Sequence, residues 1–146
     1  MLDIILHPNQ ILRNKSQKVA NVLTDKIQKL IPEMMATMDA KHGVGLAAPQ
    51  IGQNIRLFVI SYKDHNLAII NPEITKKSIL KEWDEESCLS IPNRYGQVKR
   101  HKSVTLKYLN QNGQTEILKA SGLLARIIQH EIDHLDGILF IDLAKK

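Results

Sequence analysis

Apolar residues recur at helical spacing in two stretches of this chain and gather into short runs between them. From Thr24 to about Ala40, the side chains of Ile27, Leu30, Ile31, Met34 and Met38 fall on one side of a helix. Pro32 either kinks that helix or marks its true start, because its ring removes a backbone donor and crowds the preceding turn. In the second stretch Leu123, Ile127, His130 and His134 share a stripe, widened by Leu124, Ile128 and Leu135. Ser121 is placed to act as its N-cap, and Gly137 supplies a left-handed stop. Strands are expected at Leu57 to Ser61, Leu67 to Ile70, Ile74 to Leu80, Val104 to Tyr108 and Thr115 to Leu118. The last two flank Asn110-Gln111-Asn112-Gly113, a hairpin turn by composition. The pattern predicts an α+β fold, with antiparallel β-sheets packed around the second helix.

That helix carries the first candidate chemistry, in the run Gln129-His130-Glu131-Ile132-Asp133-His134-Leu135-Asp136-Gly137. Positions i and i+4 of a helix differ by only about 40° of azimuth, so both imidazoles reach one divalent metal from the same face. Glu131 projects to the side, where a carboxylate serves a water on the metal as general base without ligating. Taken alone, two histidines at this spacing are as readily structural. The apolar flanks favour a metal, because a carboxylate carried into a buried surface costs several kcal/mol unless a cation compensates it.

A third ligand must come from upstream. The metzincin pattern would place a further His where this chain has Phe140, and Asp142 is the only carboxylate after Asp136. Upstream lies one cysteine, Cys88, in Glu85-Glu86-Ser87-Cys88-Leu89-Ser90-Ile91-Pro92. A single Cys excludes an intramolecular disulfide and favours a reducing compartment. By itself it reads as a small buried hydrophobe. Beside an open His-Glu-x-x-His pair it completes a three-ligand set that leaves a fourth position for water, as catalytic sites require.

A third segment, Gly43-Val44-Gly45-Leu46-Ala47-Ala48-Pro49-Gln50-Ile51-Gly52, superficially resembles a dinucleotide-binding turn. Its context is reversed, since a helix precedes it and a strand follows. Small residues instead let backbone approach a ligand closely, or simply pack a tight loop. Packing alone leaves Gln50 unexplained.

With these segments in hand, the chain resembles the peptide deformylases, whose motifs read Gly-x-Gly-x-Ala-Ala-x-Gln, Glu-Gly-Cys-Leu-Ser and Gln-His-Glu-x-Asp-His-Leu-x-Gly. Gly43 to Gln50 and Gln129 to Gly137 meet the first and third in full. The second is met at Glu86, Cys88, Leu89 and Ser90 and departs at Ser87, where a left-handed backbone would cost about 1 kcal/mol. His7-Pro8-Asn9-Gln10-Ile11-Leu12-Arg13 is loosely similar to the family's N-terminal stretch.

The resemblance implies a metal-dependent amide hydrolase that removes the N-formyl group from the formyl-methionine of nascent polypeptides and releases formate. It implies Cys88, His130 and His134 as ligands of one divalent ion, Fe(II) as the native one, with Zn, Ni or Co also accommodated. It assigns Glu131 as proton carrier, and the Gln50 amide and Leu89 backbone N–H as donors to the developing oxyanion. Substrate would pair along the Gly43 to Leu46 edge, with Val44, Gly45, Leu123 and Ile127 forming the methionine pocket; for Leu123 and Ile127 plain core is the competing expectation. Glu86 and Arg100 match positions that pair in the family, and Asp133 would orient a ligand or Arg100.

Without the resemblance, two other readings remain open: a metallopeptidase with a third ligand other than Cys88, and a non-enzymatic zinc-stabilised binding domain with four protein ligands. Composition decides little between them. At 146 residues and 43% hydrophobic content the chain is expected to form one domain, residues 1–146. Net charge +5 permits transient proximity to the ribosome, but the basic residues are dispersed, aromatics reach only 4%, and no sequence-specific nucleic-acid motif occurs. With no signal peptide, transit peptide or apolar spanning run, the expectation is a cytoplasmic monomer with no membrane partner. Family members commonly continue into a C-terminal helix, and a function residing in such an extension is expected to be missing here.

Overall fold

The computed structural model describes residues 1–146. Its first helix, α1, spans Asp25–Ala40, with the Thr24 side chain accepting from the Ile27 N–H as N-cap. Pro32 lies inside it and does not mark its start. The expected apolar side of α1 is buried in full, together with Thr37.

Seven strands follow, and five form one antiparallel sheet in the order β1 (Gly45–Ala47), β2 (Leu57–Tyr62), β3 (His65–Lys77), β6 (Ser103–Leu109), β7 (Thr115–Ser121). The hairpin at Asn110 to Gly113 forms as expected: Asn110 Oδ1 accepts from the Asn112 and Gln114 N–H groups, and Gly113 has φ 78°. Two expected strands, Leu67 to Ile70 and Ile74 to Leu80, prove to be the single strand β3. The Asn-Pro pair between them is absorbed as an irregularity, because Asn71 adopts φ 51° and its amide bonds both the N–H and the C=O of Val19. Strand pairing ends at Lys77, and Ser78 to Leu80 turn away.

A second sheet was not visible in the hydrophobic pattern. Strands β4 (Lys81–Cys88) and β5 (Ile91–His101) form a hairpin that pairs with no other strand. Most of its side chains are polar and exposed, so no two-residue alternation of apolar positions announces it.

Alternation along the five-stranded sheet explains how the helices dock. Leu57 and Val59 of β2 join the core under α1, while Phe58 and Ile60 join the core under the second long helix, α2 (Gly122–Leu135). The sheet is thus sandwiched between α1 and α2. A smaller core of Leu12, Ile91, Val98, Leu139 and Phe140 seats the β4–β5 hairpin beside a short third helix, α3 (Phe140–Leu143). Helix α2 touches β1, β2, β5, β6 and β7, which bears out the expectation of antiparallel sheets around a central helix. Ser121 is its N-cap residue but makes no side-chain capping bond, and Gly137, with φ 76°, forms the turn at its other end. No helix is long and apolar enough to cross a membrane.

Candidate metal centre and active-site cleft

Three elements meet at one point. Cys88 ends β4, His130 and His134 lie one turn apart on α2, and Gln50 sits in a short 3-10 helix, Ala48–Ile51, directly after β1. One ligand atom from each of Cys88, His130 and His134 falls within 4.8 Å of the others. Cys88 Sγ is 3.2 Å from His134 Nε2. No further Cys, His, Asp or Glu joins this cluster, so the four-ligand arrangement of a structural zinc site is absent.

The donors around the cluster suit a cation. His134 Nδ1 and Glu131 Oε1 are buried and have no hydrogen-bond partner within the chain. His130 Nδ1 lies 2.9 Å from Glu86 Oε1, which fixes the ring and leaves Nε2 to face the cluster. Burial opposes a charge on His130, but hydrogen bonds with Cys88 and Glu86 and the Glu131 charge prevail, pushing its pKa up to about 10. Buried His134, beside cationic His130, is driven well below the usual imidazole range.

Glu86 anchors this arrangement. Arg100 donates to both of its oxygens, from Nε and Nη2, each at 2.9 Å, and Arg126 Nη1 donates at 2.6 Å. Arg100 also pairs with Asp133 on α2, and Arg126 donates to the Val98 and Glu82 carbonyls of the hairpin. Burial would raise the Glu86 pKa, yet the bonds and charges of Arg100 and His130 hold the carboxyl far below its ordinary range. A buried carboxylate with two guanidiniums and an imidazole is fully compensated, and it ties the Cys88 strand to the histidine helix. Gln129 adds a second tie, accepting from the His101 N–H and donating to the His101 carbonyl.

Gln50 is oriented by its backbone surroundings. Its Oε1 accepts from the Ala47 N–H at 2.9 Å, so Nε2 must turn the other way, toward Ser90 Oγ at 3.1 Å and Cys88 Sγ at 3.4 Å. Glu131 packs against Gly45. A Cβ on that glycine would stand 2.5 Å from Glu131 Oε2, which explains why β1 begins with a residue lacking one. Burial raises the Glu131 pKa to about 7, with the His130 charge acting in the opposite sense.

A cleft of about 460 Å³ opens over these groups, lined by Val44, Gly45, Gln50, Cys88, Leu89, Leu123, Ile127, His130 and Glu131 among others. All the residues expected to bind substrate therefore border it. Ile127 is buried, but Leu123 is 68% exposed, so plain core does not describe Leu123. Ser87 lines the mouth and is absent from the residues with left-handed backbone, His42, Lys63, Asn71 and Asn93; the strain expected of a serine there does not arise. Arg126 was not anticipated. It lies four residues before His130 on the buried side of α2, where an unpaired charge is untenable, and that position was the available signal.

Residues 1–146 match the Polypeptide deformylase family. The chain is 44% identical over 134 residues to a peptide deformylase of Dictyoglomus thermophilum, covering 92% of this chain and 86% of the relative. Its fold is similar to the crystal structure of a peptide deformylase from Thermotoga maritima, with TM-score 0.96 and 37% identity over 100% of this chain and 99% of that one. It is also similar to a peptide deformylase from Synechococcus elongatus in complex with actinonin, at TM-score 0.95 and 41% identity over 99% of this chain and 79% of that one. Full-length coverage and the Cys-His-His cluster agree: this chain belongs to the polypeptide deformylase family.

Proposed function

We propose that Cys88, His130 and His134 hold one divalent metal ion at the floor of the cleft and that Glu131, Gln50 and Leu89 carry out the family's reaction beside it. That reaction is hydrolysis of the N-terminal formyl group of formyl-methionine polypeptides, with release of formate. The supporting observation is the convergence of one sulfur and two imidazoles, from elements far apart in the chain, within 4.8 Å. A bound ion supplies Lewis acidity, which lowers the pKa of water and polarises the formyl oxygen.

The protein's own groups do the rest. Glu131 takes the proton from the attacking water and returns it to the departing amine, and its burial, which pushes its pKa up, makes it a stronger base than an exposed carboxylate. Gln50 Nε2, locked by the Ala47 N–H, and the Leu89 backbone N–H donate to the oxygen on which charge develops. Val44 and Gly45 border the edge along which the peptide backbone pairs, and Leu123 and Ile127 form the apolar wall for the methionine side chain.

The ligand set suits Fe(II), Zn, Ni or Co, and the family resemblance favours Fe(II) as the native ion. We take residues 1–146 as one catalytic domain, acting as a cytoplasmic monomer on nascent chains close to the ribosome. The test is formate release from formyl-Met-Ala, assayed anaerobically with Fe(II) or Ni(II). Turnover that is lost with the metal content in Cys88→Ala supports the assignment; full metal occupancy and turnover in that variant overturn it.

A further inference from the structure

The turn that joins β3 to β4 displays Ile79 with 97% of its surface exposed and Leu80 with 69%. These are bulky aliphatics on a braced turn. The Ser78 N–H donates to the Ser103 carbonyl, the Lys102 N–H donates to the Leu80 carbonyl, and Ser78 Oγ bridges the Leu80 carbonyl and the Ser103 N–H. His101 Nδ1 adds a contact of 2.6 Å to the Ser78 carbonyl. The backbone on either side of Ile79 is thus held by hydrogen bonds while the two side chains are largely exposed.

Lysines surround this tip. Lys76 and Lys77 precede it, Lys81 follows it, and Lys102 is joined to Leu80 by the backbone bond just described. Register across β3, β6 and β7 sets Lys76 beside Thr105 and Thr105 beside Lys119, so Lys119 enters the same patch. Lys76, Lys77 and Lys119, with Ser103, Thr105 and Ser121, line a shallow cleft of about 400 Å³ that contains no acidic residue. Of these lysines only Lys102 is paired, with Glu82 at 4.0 Å. The patch stands at the opposite end of β4 from Cys88, away from the catalytic cleft.

We propose that this patch is a docking surface for an anionic lipid bilayer, with the lysine cleft receiving headgroup phosphates and Ile79 and Leu80 entering the acyl boundary. Charge complementarity identifies the partner as a polyanion. The aliphatic tip selects lipid over RNA, because bases are held by aromatic side chains and arginine planes, whereas the most exposed side chains of the tip are the aliphatic Ile79 and Leu80. Lysines facing anionic headgroups and inserted aliphatics are the two contributions that hold peripheral proteins at a membrane surface. This proposal departs from the expectation of no membrane partner, and it rests on the exposed Ile79 and Leu80 beside the lysine cleft rather than on a spanning helix.

Sedimentation with phosphatidylglycerol-containing vesicles, compared with phosphatidylcholine vesicles, tests the proposal on the whole protein. Binding is expected to the anionic vesicles only, and to fall with salt. The Ile79→Ser, Leu80→Ser double variant is expected to bind about tenfold more weakly, since partial burial of two aliphatic side chains is lost. Lys76→Glu with Lys119→Glu is expected to abolish binding, while the same charge change at Lys26 and Lys29 on α1 leaves it within about twofold. Deformylation of a soluble formyl peptide should be unchanged in all of them. Absence of wild-type binding, wild-type affinity in the aliphatic variant, equal losses in the α1 control, or tighter capture by single-stranded RNA would each overturn the proposal.

Discussion

Helices α1 and α2 lie on opposite faces of the same sheet, yet they bury different chemistry. The hidden side of α1 consists of Ile27, Leu30, Ile31, Met34 and Met38, with Thr37, which accepts from the Leu2 N–H, as its one polar member, and it contributes mainly through apolar burial. Helix α2 buries Arg126, Gln129, Glu131 and His134 among its aliphatics. Those groups would be costly to hide without partners. Arg126 and Gln129 are satisfied by Glu86 and the β5 backbone, whereas Glu131 and His134 each keep one buried atom without a protein partner. One helix is finished by packing, whereas the other leaves a Glu131 oxygen unbonded beside the cleft.

The sharpest break in this contrast should come from Glu131→Ala. Metal content measured by elemental analysis should be retained, while formate release falls by about 1000-fold or more, within the range of lost acid–base groups. Retained turnover would remove Glu131 from the proton-transfer role. Next, Gln50→Ala should lower kcat by about 100-fold with little change in KM, because its amide acts on charge that appears only as the reaction proceeds.

Stability separates the helices in the other direction. Met34→Ala on α1 should cost about 2–5 kcal/mol in denaturant unfolding, yet leave the kcat of the folded fraction intact. Glu86→Ala should cost about 3–5 kcal/mol by stranding buried cations, and should also weaken metal binding by about 10- to 100-fold. Equal kcat values for these two variants would mean that the Glu86 network supports only the fold.

The smallest effects concern pH. Glu131 must be ionised to accept a proton, so kcat/KM should fall on the acid side, at a pH below about 7 because a bound cation favours the carboxylate. Glu86 has a folded pKa below its ordinary 4.5, so its contribution is complete above that pH and is lost as pH falls below it. Unfolding of Glu86→Gln should therefore show a weaker acid dependence than that of the parent protein.

Helix α1, the Asn110 to Gly113 hairpin and three of the five expected strands were legible because local periodicity and turn chemistry agreed with their tertiary surroundings. The β4–β5 hairpin was not, since Lys81 to Ser87 show no apolar face and are held by pairing across the hairpin and by the Glu86 cluster. The Cys88, His130 and His134 cluster was legible from residue type and motif. What could not be read was that Gln50 is turned by the Ala47 N–H, or that Gly45 yields room to Glu131, because both depend on three-dimensional proximity. Arg126 lay in plain view, and only the rule that a charge on a buried stripe needs a partner would have singled it out.

Helix α2 follows all seven strands in the chain, and its last carbonyl, that of Leu135, is met by Ser16, whose N–H and hydroxyl both donate to it. Vectorial synthesis therefore delivers the scaffold before the segment that completes it. The sulfur of Cys88 emerges before both imidazoles, so a copy that stops short of α2 has no assembled Cys-His-His cluster.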